Sequence, residues 1–246
     1  MAHEPIPRRQ FLAGAGAAGT AVAGALAGGL TAPAAAEPSD IAPAKGAPAP
    51  QVSAAPETWL ALTAAEAAFV IAAVDTLIPA DELTPSGSEC GVAVYIDRQL
   101  ASAWGGGAKM YRSGPFQKGK PEQGYQLALT PRDYLVAGIA AANAWTQKTY
   151  GKDFDRLAPE DRVVALKAME DGKAEFQNFN ARGFFERLLA MTMEGFFADP
   201  VYGGNRDKIA WKMIGFPGLP ATYAGLVDEF RDKRYVAEPQ SIADFS

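Results

Sequence analysis

Few residues in this 246-residue chain have the type and spacing that chemistry requires. There is one histidine, His3, and one cysteine, Cys90. If the N-terminus is removed, as its own pattern predicts, the remaining body has no imidazole. That excludes a Ser-His-Asp triad, a histidine general base and any site built on histidine metal ligands or the usual histidine ligand of haem. A lone cysteine cannot hold an iron–sulfur cluster or a CxxCH haem. Two acidic pairs, Asp81-Glu82 and Glu160-Asp161, suggest acid–base work, but neighbours on a helix do not face each other. Glu160-Asp161 suits a helix's first turn, where carboxylates favour the dipole. Gly14-Ala15-Gly16-Ala17-Ala18-Gly19 matches G-x-G-x-x-G, yet arginines rather than a strand precede it, so the phosphate-cradling context is missing. With 23 Lys+Arg against 28 Asp+Glu the net charge is -5, which gives no nucleic-acid footprint.

Cys90 stands in Ser88-Glu89-Cys90-Gly91, a loop just before a helix. An unpaired cysteine in an exported protein points either to a disulfide with another chain or to a buried or idle thiol, and the sequence leaves both open.

The export reading comes from the N-terminus. Arg8-Arg9-Gln10-Phe11-Leu12 is followed by a Gly/Ala-rich apolar stretch to Leu30, and Ala34-Ala35-Ala36 offers a cleavage site before Glu37. Adjacent Arg8 and Arg9, with Phe11 and Leu12 beyond, resemble a twin-arginine signal. Glycine and alanine contribute too little transfer energy for the about 20 residues a spanning helix needs. The expected organisation is a signal over 1–36, a disordered Ala/Pro-rich leader over 37–58, and one helical domain over 59–246.

The domain reads as all-α, a single irregular fold of six to seven helices with two long loops. Thr63 and Glu66 form a capping box before Phe69, Val70, Ala73, Val74 and Leu77, and Pro79 ends that helix. Val92, Ile96 and Leu100 mark a second helix. Thr130-Pro131 opens a third, with a face of Leu135, Gly138, Ile139, Ala142 and Trp145, closed by Gly151. Pro159 to Asp171 is a fourth, and Phe185, Leu188, Leu189, Thr192 and Phe196 mark a fifth. Asn205 is expected to cap a short sixth bearing Ile209 and Trp211, and a weaker seventh is expected from Ala221 to Arg234. The long connections are 80–91 and 105–129. The second carries Met110, Tyr111, Pro115, Phe116 and Tyr125, with Trp104 just ahead of it. These aromatics either fold back over the core or face a partner, since aromatic residues dominate interface energetics.

From Asp199 the chain reads Asp199-Pro200-Val201-Tyr202-Gly203-Gly204-Asn205-Arg206-Asp207, and continues through Trp211 to Ile214-Gly215-Phe216-Pro217-Gly218. This resembles the signature of the gluconate 2-dehydrogenase subunit 3 family, the small subunits of membrane-associated flavin sugar and sugar-acid dehydrogenases. Asp75 to Pro79 with Ala80-Asp81-Glu82, Gly91 to Gln99, Tyr111 to Phe116, and Gly124-Tyr125-Gln126 before Leu129-Thr130-Pro131 fit as well, so the likeness covers about Trp59 to Gly218. It implies a periplasmic complex at the inner membrane. An FAD subunit of the glucose–methanol–choline type oxidises the substrate there, and a multihaem cytochrome c carries electrons onward. The small subunit has no cofactor of its own and helps the flavoprotein mature and leave the cytoplasm through the twin-arginine export machinery. A clamp between flavoprotein and cytochrome, or a stand-alone periplasmic enzyme, are the alternatives. The expected contact residues are Cys90, Trp104, Tyr111, Phe116, Tyr202, Arg206 and Trp211, with Arg206 alternatively pairing locally with Asp199 or Asp207. The substrate of such a complex is chosen by another chain.

Overall fold

A computed structural model describes residues 58–245, apart from 118, 121, 122, 220 and 221. The expected signal, with Arg8, Arg9, Phe11, Leu12 and the Ala36-Glu37 cleavage point, lies outside the described residues, as does nearly all of the expected leader. Among the described residues there are six α-helices and no strand: α1 (Ala64–Leu77), α2 (Val92–Ala101), α3 (Pro131–Tyr150), α4 (Pro159–Glu170), α5 (Ala181–Phe197) and α6 (Ile209–Ile214).

Local chemistry accounts for the helix ends. The Thr63 side chain accepts from the Glu66 amide while the Glu66 carboxylate accepts from the Thr63 amide at 2.7 Å, so two otherwise orphaned donors are satisfied reciprocally. Thr130 and Asp133 repeat the device on α3, which has Pro131 in its first turn and ends on Gly151 in the left-handed region. Pro159, Glu160 and Asp161 open α4, and the Asn180 carboxamide accepts from the Gly183 amide to open α5.

Long α5 is the centre of the packing. Phe184, Phe185, Leu188 and Met191 on it are almost fully buried, against Phe69 of α1, Ile96 and Leu100 of α2, Leu135 and Ile139 of α3 and Met169 of α4. Phe69 lies with its ring centroid 4.8 Å from Phe154 and 6.0 Å from Phe184. Each such buried side chain contributes about 2 kcal/mol. Gly138 sits mid-helix in α3 because a Cβ there would lie 2.1 Å from the Phe184 ring, so glycine is what lets α3 and α5 approach.

The expected seventh helix is absent. Residues 222–234 form successive turns instead, tied by single bonds such as Leu226 N–H to Tyr223 O and Phe230 N–H to Leu226 O. Only Leu226 and Phe230 of this segment are half-buried, and a short helix without an apolar face to bury is not stable in water. The segment returns to the body through a bridge between Gly218 and Gln240.

Candidate functional site

The expected contact residues fall at the two ends of α2, which is about 15 Å long by its ten-residue span. Cys90, Tyr202, Arg206 and Trp211 lie toward its N-terminus, and Trp104, Tyr111 and Phe116 follow its C-terminus. They do not form one cluster.

At the N-terminal end, backbone meets backbone. Gly203, with φ of 101°, and Gly91, with φ of 82°, occupy the left-handed region that disfavours side chains. A Cβ on Gly91 would lie 2.3 Å from the Gly203 carbonyl, and one on Gly204 would lie 2.0 Å from the Gly195 carbonyl of α5. The glycines therefore seat the 199–208 turn directly on α2 and α5.

Asn205 then ties the turn off. It is wholly buried, with its Nδ2 donating to Ala198 O and its Oδ1 accepting from Ala210 N–H, both at 2.9 Å. The sequence expectation of a cap thus needs correction. Asn205 is itself left-handed at φ of 45° and satisfies the second residue of α6 from five positions upstream, while the helix starts only at Ile209. Asp207 and Lys208 also have positive φ, 58° and 57°. Conformations of that kind persist where their surroundings over-determine them.

Most of the remaining polar groups of the signature hydrogen-bond within the fold, while Asp207 and Lys212 are exposed. Arg206 donates its backbone N–H to Cys90 O at 3.0 Å and its guanidinium to Glu89 O at 3.2 Å. Trp211 is 6% exposed and its indole N–H donates to Phe197 O at 2.8 Å. Asp199 accepts from Val201 N–H and, across the molecule, from Ile242 N–H. Lys208 donates to Pro239 O and to the Asp244 carboxylate. Cys90 is 1% exposed, its thiol directed at Pro85 O at 3.5 Å, so a bond to another chain requires this corner to open. Large side chains are also exposed here: Tyr202 is 50% exposed, beside exposed Val201 and, from the C-terminal segment, Ile242 and Phe245.

The other end of α2 is built differently. Arg132 pins the chain as it leaves the helix, with its N–H on Gly105 O and its Nε on Leu100 O. Tyr125 pins the far side. Its ring stacks on Tyr134 at 4.1 Å, nearly parallel, and its hydroxyl donates to Leu129 O. Burial pushes the Tyr134 hydroxyl up to about 12, partly offset by the Arg187 charge, which marks it as a core phenol. Of the two fates open to the loop aromatics, Tyr125 takes the first and folds back. Trp104, Tyr111 and Phe116 do not fold back and stay 37%, 71% and 37% exposed.

Among the described residues no three His, Cys, Asp or Glu side chains gather as metal ligands, and no helix is long and apolar enough to cross a membrane. The acidic pairs are held apart from any joint role: Asp81 accepts from the Leu83 and Thr84 amides, and Glu160 and Asp161 are exposed in the first turn of α4. A hollow of about 300 Å³ between Pro217, Leu219, Tyr223, Leu226 and Tyr235 has Glu238 as its one carboxylate. Sequence reasoning missed Asp97, Asp244, Ile242 and Phe245, whose roles arise from pairings 35 or more residues apart.

The family model described as gluconate 2-dehydrogenase subunit 3 matches residues 64–218. The match starts at α1 and stops at the glycine that bridges to Gln240. No curated protein and no solved structure matches the chain.

Proposed function

Because this chain belongs to the gluconate 2-dehydrogenase subunit 3 family, we propose that it is a non-catalytic accessory subunit of a periplasmic flavin dehydrogenase complex. In this reading it binds the FAD-carrying catalytic subunit, supports its maturation and carries it out of the cytoplasm by the twin-arginine route. The family's description names a subunit, so the chain is one component of a multi-subunit gluconate 2-dehydrogenase-type assembly. The carrying observation is the aromatic loop after α2. The connection over 102–130, anchored by Arg132 and Tyr125, holds Trp104, Tyr111 and Phe116 exposed. Exposed aromatics on an anchored loop are costly in water and suited to a partner, because large rigid rings bury much area at small entropic cost.

In this reading the division of labour is the one the family likeness implies. The helical body supplies a stable surface and the flavin partner supplies the oxidation. Haem c in a third subunit would pass the electrons on. Arg8 and Arg9 recruit the export machinery for the assembled pair. The test replaces both arginines by lysine (Arg8→Lys, Arg9→Lys) and follows the flavoprotein. Its activity should disappear from the periplasm and the protein should accumulate in the cytoplasm. A flavoprotein that still reaches the periplasm at full activity defeats the escort role and leaves a structural clamp.

A further inference from the structure

The loop after α2 differs in charge from the rest of the chain. Residues 102–130 hold four basic residues, Lys109, Arg112, Lys118 and Lys120, against one carboxylate, Glu122, a balance of +3. The whole chain has a balance of -5, so everything outside the loop carries -8. Lys109, Arg112 and Lys120 are exposed, interleaved with the exposed Trp104, Tyr111, Phe116 and Leu127.

The carboxylates that flank the loop do not offset these cations, because both are used within the fold. Buried Asp97 accepts from the amides of Leu60, Ala61 and Leu62. Asp133 accepts from the Thr130 hydroxyl and amide. Among the described residues, none of Lys109, Arg112 and Lys120 has a carboxylate partner. Lys109 also keeps its side chain on a left-handed backbone, at φ of 64°, where glycine would be less strained. Strain of this kind points to a use for the side chain that bears it.

Aromatic rings supply contact area without a preference of sign. The cations add that preference. Exposed charges act over about 10 Å in salt, and they favour an oppositely charged surface while a like-charged one is repelled. The loop's build favours a protein over a lipid surface. Its course is tied by its own bonds, with the Tyr111 hydroxyl donating to Gly114 O at 3.0 Å and Lys120 N–H to Gln123 Oε1 at 2.8 Å. Among the described residues it has no α-helix that could lay an apolar face into a membrane interface.

We propose that the partner's face which receives this loop is acidic: carboxylates of the flavin subunit meet Lys109, Arg112 and Lys120 around the ground that takes Trp104, Tyr111 and Phe116. This rests on the accessory-subunit reading and adds to it the chemistry of the partner's surface.

The test titrates the full chain into the flavoprotein by calorimetry at about 50 and about 300 mM sodium chloride, and Kd should rise about tenfold between them. The variant Lys109→Gln, Arg112→Gln, Lys120→Gln should bind about tenfold more weakly at low salt and lose most of the salt dependence, with an unchanged melting temperature. Lys148→Gln with Lys152→Gln, exposed near the end of α3, should bind as the parent does. Should the triple variant melt lower, Lys120→Gln alone carries the same comparison, at about two- to threefold. An affinity that neither salt nor these variants change overturns the acidic face and leaves the accessory role standing. A parent chain that does not bind the flavoprotein at all defeats both. Two other occupants are read from the same proteins: sedimentation with phosphatidylglycerol vesicles, or a dimer of this chain at low salt. Either one, lost in the triple variant while flavoprotein binding is unchanged, assigns the cations to a lipid or to a second copy and overturns the proposal.

Discussion

The two ends of α2 make opposite use of their residues. At the N-terminal end, the segment that carries the family likeness commits most of its polar groups to the fold: Asn205, Arg206, Lys208, Trp211 and Asp199 all hydrogen-bond to backbone. At the C-terminal end, a loop with little regular structure turns Trp104, Tyr111 and Phe116 outward. The most recognisable stretch of sequence is thus largely a folding device, and the less distinctive stretch is where large aromatic side chains stay exposed.

The sharpest way to break this contrast is at the glycines. Gly204→Ala places a Cβ 2.0 Å from the Gly195 carbonyl, where backbone on both sides cannot yield. A loss of about 3 kcal/mol or more is expected in urea denaturation, enough to prevent folding in a marginal domain. Asn205→Ala follows. It leaves the Ala198 carbonyl and the Ala210 amide without the partners they now have, and should cost about 2–3 kcal/mol by the same measurement. Trp211→Phe keeps most of the packing and removes the indole N–H from Phe197 O, at about 1 kcal/mol.

The loop should behave in the reverse way. Tyr111→Ala and Phe116→Ala together should move stability by about 0.5 kcal/mol, as surface substitutions do. They should nevertheless weaken binding to the flavoprotein by about 2 kcal/mol, read as lost co-purification or by calorimetry. If the pair leaves co-purification intact, the outward patch of Tyr202, Val201, Ile242 and Phe245 becomes the better contact surface.

The smallest effect is on pH. Asp244 is held down to about 2 from its ordinary 3.8, first by the Lys208 hydrogen bond and then by the Ser241 amide. A carboxyl depressed on folding contributes stability that is complete above its unfolded value and is lost as pH falls. The C-terminal segment should therefore stay attached above about pH 4 and loosen as pH falls toward 2. Tryptic cleavage is unsuitable there, but pepsin cleavage in residues 222–245 would report it. Asp244→Asn should show the loosening already at neutral pH.

Most of the helical frame was legible because helix ends are local events. Thr63 with Glu66, Thr130-Pro131 with Gly151, and Pro159 with its acidic first turn each announce a boundary within a few residues. The failed helix at 221–234 had spacing without a surface to bury, which only the tertiary structure decides. Asn205 was singled out for the right element, but its left-handed backbone and its reach to Ala210 depend on the glycines seating the turn. The same limit applies to the contact residues. Trp211 and Cys90 look available as sequence and are buried in the fold, whereas Tyr125 and Phe116 stand in one loop and face opposite ways. Asp97 gave no signal, because a single carboxylate in an amphipathic helix reads as solvated.

The bridge from Gly218 to Gln240 has a practical meaning. Inheritance and folding draw different borders here: the family likeness ends at Gly218, but Leu219 N–H is held by Gln240 O, Gln240 N–H by Pro217 O, and Lys208 bonds to Pro239 and Asp244 while Asp199 takes its second donor from Ile242. A fragment cut where the family stops would take from an ammonium the acceptors it holds, and from a carboxylate one of its two donors, at the edge of its own most characteristic segment.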